Sequence, residues 1–122
     1  HSKEYELKEE FNKLNRPFVI YGAGKRGLDF YKQMKAMGRL PLCFIDSDKS
    51  KQKTIIDEID VCSYDWLFTL EKKSLVVVTP LKKSEIIQQL KKDGIEFMEL
   101  DWVRALFKNA YIENNSYYSK WI

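Results

Sequence analysis

The sequence predicts a three-layer α/β domain with a mostly parallel sheet of about five strands, and three observations carry that expectation. Short runs rich in β-branched and aromatic residues, at 18–21, 42–45, 75–78 and 95–100, alternate with stretches whose apolar residues fall at helical spacing. Leu75-Val76-Val77-Val78 is apolar at every position, as a parallel strand covered on both faces must be. The first strand leads directly into Gly22-Ala23-Gly24-Lys25-Arg26-Gly27, a G-x-G-x-x-G turn that opens a helix.

Taken in order, Leu7, Phe11 and Leu14 recur four and three apart among Lys and Glu, which predicts an amphipathic helix ending at Asn15-Arg16-Pro17. Phe18-Val19-Ile20-Tyr21 is the first strand. Leu28, Tyr31, Met34 and Met37 then mark a helix that Gly38 terminates. Leu42-Cys43-Phe44-Ile45 is the second strand, closed by Asp46-Ser47-Asp48 and a Lys-rich solvated loop. Residues 54–62 alternate weakly and predict one or two short edge strands. Tyr64 to Leu70 reads as a short helix that the Ser63 hydroxyl can cap. Leu75 to Val78 is placed in mid-sheet, ended by Thr79-Pro80. A helix from Ser84 to about Asp93-Gly94, a last strand at 95–100 and an amphipathic helix from Asp101 to about Ile112 complete the series. The expected divisions are an N-terminal helix at 1–16, a binding domain at 17–112, and a tail or linker at 113–122. Tyr117, Tyr118 and Trp121 of that last stretch cover the domain's own surface or dock on a neighbour.

At 122 residues the chain fits one core. A formal charge of +3 comes from 21 Lys and Arg against 18 Asp and Glu, scattered without a basic tract, so the sequence points to no nucleic-acid partner. No apolar run approaches the ~18 residues of a membrane span, and the N-terminus lacks the basic-then-apolar build of a secretion signal. Two cysteines without neighbouring Cys or His argue against a metal set and for a reducing, cytoplasmic setting. The start at His1-Ser2, without Met, reads as an appended scar or a cut within a longer polypeptide.

The chemistry concentrates at the glycine turn. Gly22 permits a sharp bend, Gly24 lets a phosphate approach the backbone, and Gly27 lets the helix pack closely on the strand. The Ala23 to Gly27 amides at the helix N-terminus form an anion site, to which Lys25 and Arg26 add positive charge. The alternative is that the glycines serve packing alone and the two basic residues face water. Asp46 lies nineteen residues beyond Gly27 at the end of the second strand, where an acid accepts hydrogen bonds from ribose hydroxyls and repels a 2′-phosphate. That favours NAD over NADP if the ligand is a nicotinamide dinucleotide, although Lys49 nearby weakens the preference. Asp48 is better explained as a turn cap. Thr79 and Pro80, after the central strand, face the glycine turn across the expected crevice; Thr79 offers a hydroxyl to a ligand or simply ends the strand. The single histidine is His1, so no Ser-His or Cys-His nucleophilic system is in view, and catalytic residues and metal ligands are both expected to be absent.

In Val19 to Gly27, Phe44 to Lys51, Val76 to Pro80 and Ile86 to Ile95, the chain resembles the small Rossmann-like domains at the N-termini of bacterial sugar O- and N-acyltransferases. Similar modules accompany glycosyltransferases and methyltransferases of surface-polysaccharide pathways. The resemblance covers residues 17–100. It implies that Gly22, Gly24 and the helix start near Lys25 hold the phosphates of a UDP-linked sugar, with Asp46 near the ribose or base, and that catalysis belongs to a further domain of the same polypeptide. Two departures stand out. The acyltransferases usually carry Gly-His where this chain has Lys25-Arg26, and their Ile-Asp-Gly-Ile-Pro-Val is here Ile56-Asp57-Glu58-Ile59-Asp60-Val61. No hexapeptide repeat follows, so acyltransfer is not assigned. The resulting expectation is a domain that binds a nucleotide or UDP-type nucleotide-sugar within a carbohydrate-modifying enzyme. An NAD-binding oxidoreductase domain and a ligand-free docking module are the alternatives, and association into a homo-oligomer stays open.

Overall fold

The computed structural model describes residues 16–69 and 74–105. Among them a six-stranded sheet runs in the order β3-β4-β2-β1-β5-β6. Its strands are β1 (Phe18–Tyr21), β2 (Phe44–Ile45), β3 (Ile55–Ile56), β4 (Ile59–Cys62), β5 (Leu75–Val78) and β6 (Phe97–Glu99). All neighbours pair in parallel except β3, which is antiparallel to β4. The expected α/β class and mostly parallel sheet are therefore present, with six strands among the described residues where about five were expected.

Period-two alternation sorts the side chains of β1 and β5 into two apolar layers. Phe18 and Ile20 of β1, with Leu75 and Val77 of β5, face α1 (Lys25–Ala36), whose Phe30 and Met34 are fully buried against them. Leu100 and Val103 of the helical segment 100–105 join the same layer. Val19, Tyr21, Val76 and Val78 face the other way, toward Leu90 of α2 (Ser84–Lys92). Tyr64, Trp66 and Leu67 of a 3-10 helix (Tyr64–Thr69) pack on that second face. Every residue of β1 and β5 is buried, as strands covered by helices on both faces require.

Several boundaries differ from the sequence expectation. The second strand is two residues long, although Leu42 N–H still donates to Phe18 O and Ile20 N–H to Cys43 O, which carries the ladder back toward Pro41. Of the one or two short strands expected at the edge in 54–62, β3 lies there. β4 sits between β3 and β2, and its buried Ile59 and Val61 contrast with Ile55 of β3, which is 66% exposed. The segment after Ser63 is a 3-10 rather than an α-helix. The helices expected before Pro17 and beyond residue 105, and the aromatic tail, lie outside the described residues. Among the described residues no helix is long and apolar enough to cross a membrane.

Candidate functional site

Strands run outward from β1 in both directions: β2 and β4 lie on one side, β5 and β6 on the other. In an open parallel sheet such a reversal leaves a crevice beyond the carboxyl ends of the two strands where it occurs. Here a crevice of about 490 Å³ opens at the ends of β1, β2 and β5. Of the residues singled out in the sequence, Gly24, Lys25, Arg26, Gly27, Asp46, Thr79 and Pro80 line it. Gly22, Ala23 and Asp48 are not in the lining, and Ala23 and Asp48 each donate an amide hydrogen bond to the Asp46 carboxylate that is.

Gly22 has φ +109, and a Cβ there would lie 2.5 Å from Thr79 Oγ1 and 3.0 Å from the Pro80 ring. A Cβ on Gly27 would lie 1.9 Å from Gly22 O, so the start of α1 rests directly on the turn. Gly24, the residue before α1, is different: its backbone is extended (φ −88) and an added Cβ would meet nothing within 4 Å. Among the described residues no side chain caps α1, and no acidic residue occupies its first turn. The opening amides of α1 thus face the crevice with the positive end of the helix dipole behind them.

Asp46 joins two loops. Its Oδ2 accepts from Ala23 N–H at 2.8 Å and its Oδ1 from Asp48 N–H at 2.9 Å. An ionised carboxylate offers about four acceptor positions, so both oxygens retain capacity toward the crevice. Asp48 in turn accepts from the amide and hydroxyl of Ser50, bonds that hold its carboxyl below the usual range. Tyr21 also lines the crevice, and burial first, then the Asp46 charge, pushes its phenol above the ordinary value. It is a neutral hydroxyl.

Thr79 is 1% exposed. Its hydroxyl donates to Tyr21 O at 2.7 Å and its amide donates to the same oxygen at 3.0 Å, clasping the ends of β1 and β5. Arg26 Nε donates to Thr79 O at 2.6 Å, and Arg26 Nη2 donates to Asp101 Oδ1 at 3.0 Å. Lys83 Nζ completes the cluster, 2.9 Å from Glu99 and 3.8 Å from Asp101.

Sequence reasoning did not single out Lys51, Lys82 or Tyr21, which join the wall. Lys51 lies six residues past the end of β2 and Lys82 four past the end of β5, the loops that this fold turns toward the crevice. Their position after a strand's carboxyl end was the available signal. Among the described residues the crevice wall therefore holds three lysines, Lys25, Lys51 and Lys82, together with Asp46.

No family model and no curated protein sequence matches the chain. Among solved structures it is similar to UDP-D-quinovosamine 4-dehydrogenase from Vibrio fischeri, at 29% identity over 74% of this chain and 84% of that one, with a TM-score of 0.57. It is also similar to RSP, a Rex-family repressor, at 15% identity over 93% of this chain and 67% of that one, with a TM-score of 0.53; at that identity the likeness concerns the fold alone. With its glycine turn, strand order and crevice, the chain has a Rossmann-like nucleotide-binding fold.

Proposed function

We propose that the crevice binds the diphosphate of a nucleotide-sugar of the UDP type, and that the chain is the recognition domain of a larger carbohydrate-modifying enzyme whose catalytic residues lie outside this segment. The observation that carries the reading is Gly24. Nothing in its backbone conformation or in the packing of the described residues requires glycine there, whereas a phosphate approaching the uncapped start of α1 does. Lys25, Lys51 and Lys82 supply countercharge, Arg26 supplies directed donors, and Asp46 retains acceptor positions for a ribose hydroxyl. The similarity to a protein named for a UDP-sugar favours this ligand class. It equally admits a second reading, an NAD-binding domain, because Asp46 stands at the end of β2 where an adenosine ribose is held in dinucleotide sites and the similar protein is named a dehydrogenase. Acyltransfer, by contrast, has no support beyond the sequence resemblance.

The test is a thermal-shift series with UDP, a UDP-N-acetylsugar, CDP, NAD and S-adenosylmethionine, on the wild type and on Gly24→Val. A ligand at a hundred times its dissociation constant adds about 2.7 kcal/mol, an upward shift of at least roughly 5 °C for a domain of this size. A shift with UDP compounds that Gly24→Val abolishes supports the nucleotide-sugar reading. A shift with NAD alone replaces it by the second reading, and no shift with any of the five favours a docking module.

A further inference from the structure

The guanidinium of Arg26, in the crevice wall, is tied to two segments distant in sequence. Its Nε and Nη2 each donate one hydrogen bond, to Thr79 O and to Asp101 Oδ1. A guanidinium has five N–H bonds in a rigid plane, so two anchors on it fix the plane and leave three donors free to serve a ligand. Asp101 is held from its other side by Lys83, itself paired with Glu99. The quartet Arg26, Asp101, Lys83 and Glu99 is neutral overall.

We infer that Asp101 is a positioning residue of the anion site: it orients the Arg26 guanidinium toward a bound phosphate and thereby links the segment that leaves β6 to occupancy of the crevice. The proposal rests on the nucleotide reading above and adds a residue outside the glycine turn to it. Asp101 is the second residue of the helical segment 100–105, whose Leu100 and Val103 are buried in the α1 layer. A shift of that segment therefore moves the carboxylate that holds Arg26, and by linkage phosphate binding steadies the segment.

Two effects of Asp101 on a phosphate oppose each other. Its negative charge repels the ligand, and its hydrogen bond prepares Arg26 to receive it. The Asp101 side chain is 62% exposed, where water and salt screen the repulsion, while Arg26 is only 27% exposed and its geometry is set by direct bonds. Positioning outweighs repulsion on this count. The substitution Asp101→Asn separates the two, because it removes the charge and weakens the anchor at once: repulsion alone predicts tighter phosphate binding, positioning predicts weaker.

The experiment is calorimetry at physiological salt on the full chain, with UDP against uridine and NAD against adenosine, using wild type, Asp101→Asn, Asp101→Glu, Arg26→Gln and the Arg26→Gln/Asp101→Asn pair. Asp101→Asn is expected to weaken the phosphate-bearing ligand about fivefold, the scale of one weakened charge-assisted bond, and to leave the nucleoside unchanged. Asp101→Glu restores most of the loss, and with Arg26→Gln present Asp101→Asn has no further effect. Unchanged or tighter binding by Asp101→Asn overturns the proposal, as does an equal loss for nucleotide and nucleoside, or a loss that persists without Arg26. Wild-type protein that binds neither UDP nor NAD overturns both this inference and the nucleotide reading, whereas wild-type binding with Asp101 indifferent overturns this inference alone.

Discussion

Two of the three glycines of one motif answer to neighbours within the protein, and the third does not. Gly22 is held by its φ of +109 and by the Thr79 hydroxyl, Gly27 by the Gly22 carbonyl beneath it, and Gly24 by nothing among the described residues. Substitution to Ala separates them. Inside an exposed helix Gly→Ala ordinarily stabilises by about 1 kcal/mol. Gly27→Ala reverses that sign, since a Cβ at 1.9 Å from a backbone oxygen has no flexible neighbour to displace. A loss of at least ~3 kcal/mol is expected, read as a lower urea midpoint. Gly24→Ala costs under about 1 kcal/mol, the scale of a helix-start change, and instead weakens nucleotide binding at least tenfold by calorimetry. A Gly24→Ala protein that binds as wild type removes the phosphate argument. The motif and Asp46 were legible in the sequence because they depend on local spacing: a strand, a turn and an acid nineteen residues on. Asp101 was not, for its relevance arises only where a residue 75 positions away in sequence donates to it.

At the scale of elements, the β3–β4 hairpin shows how far local reading reaches: it expects one or two short strands at 54–62 but not the turn that joins them. Residues 54–62 carry a weak alternation with no glycine to announce a turn, yet Asp57 and Glu58 both adopt positive φ, +52 and +71, as a two-residue hairpin loop requires. Asp tolerates that conformation; Glu does so at a cost. The hairpin forms because other contacts outweigh the strain: Ile59 and Val61 are buried, and Asp57 accepts from Tyr31 Oη at 2.6 Å and Lys35 Nζ at 2.5 Å, pinning the turn to α1. These are tertiary terms, invisible to a window of nine residues. Glu58→Gly should relieve the strain. Allowing for the greater freedom of glycine in the unfolded chain, a gain of about 0.5 kcal/mol is expected, raising the melting temperature by about 2–4 °C. A fall in melting temperature would show that the Glu58 backbone is unstrained. The long strands and helices, by comparison, were legible to within a few residues, since β1, β5, α1 and α2 bury faces that their own periodicity displays.

The whole molecule depends on carboxylates that fasten its loops at the rim of the sheet. Asp57 is held below the usual carboxyl range by its hydrogen bond from Lys35 and then by that from Tyr31. Asp48 is lowered by Ser50, and Asp101 by the hydrogen bond from Arg26. Each loses its proton more readily in the folded state than in the unfolded chain, where Asp titrates near 3.9. Their contribution is therefore present above about pH 4 and disappears as pH falls through the lowered folded values. Tyr31 and Tyr64 act in the opposite sense. Hydrogen bonding to Asp57 raises the first, and burial with the Asp93 hydrogen bond raises the second, so their contribution holds below about pH 10 and is lost in more alkaline solution. Urea midpoints should accordingly be level across neutral pH and fall on both flanks, with the acid limb starting near pH 4. Asp57→Asn should lower the plateau and flatten the acid limb, because the substituted chain has one fewer proton to take up on unfolding from its lowered site. An acid limb of unchanged steepness in that variant would mean that Asp48 and Asp101, or carboxylates beyond the described residues, dominate the acid transition. A limb that starts above pH 5 would assign it to groups whose values in the unfolded chain lie higher than those of aspartate.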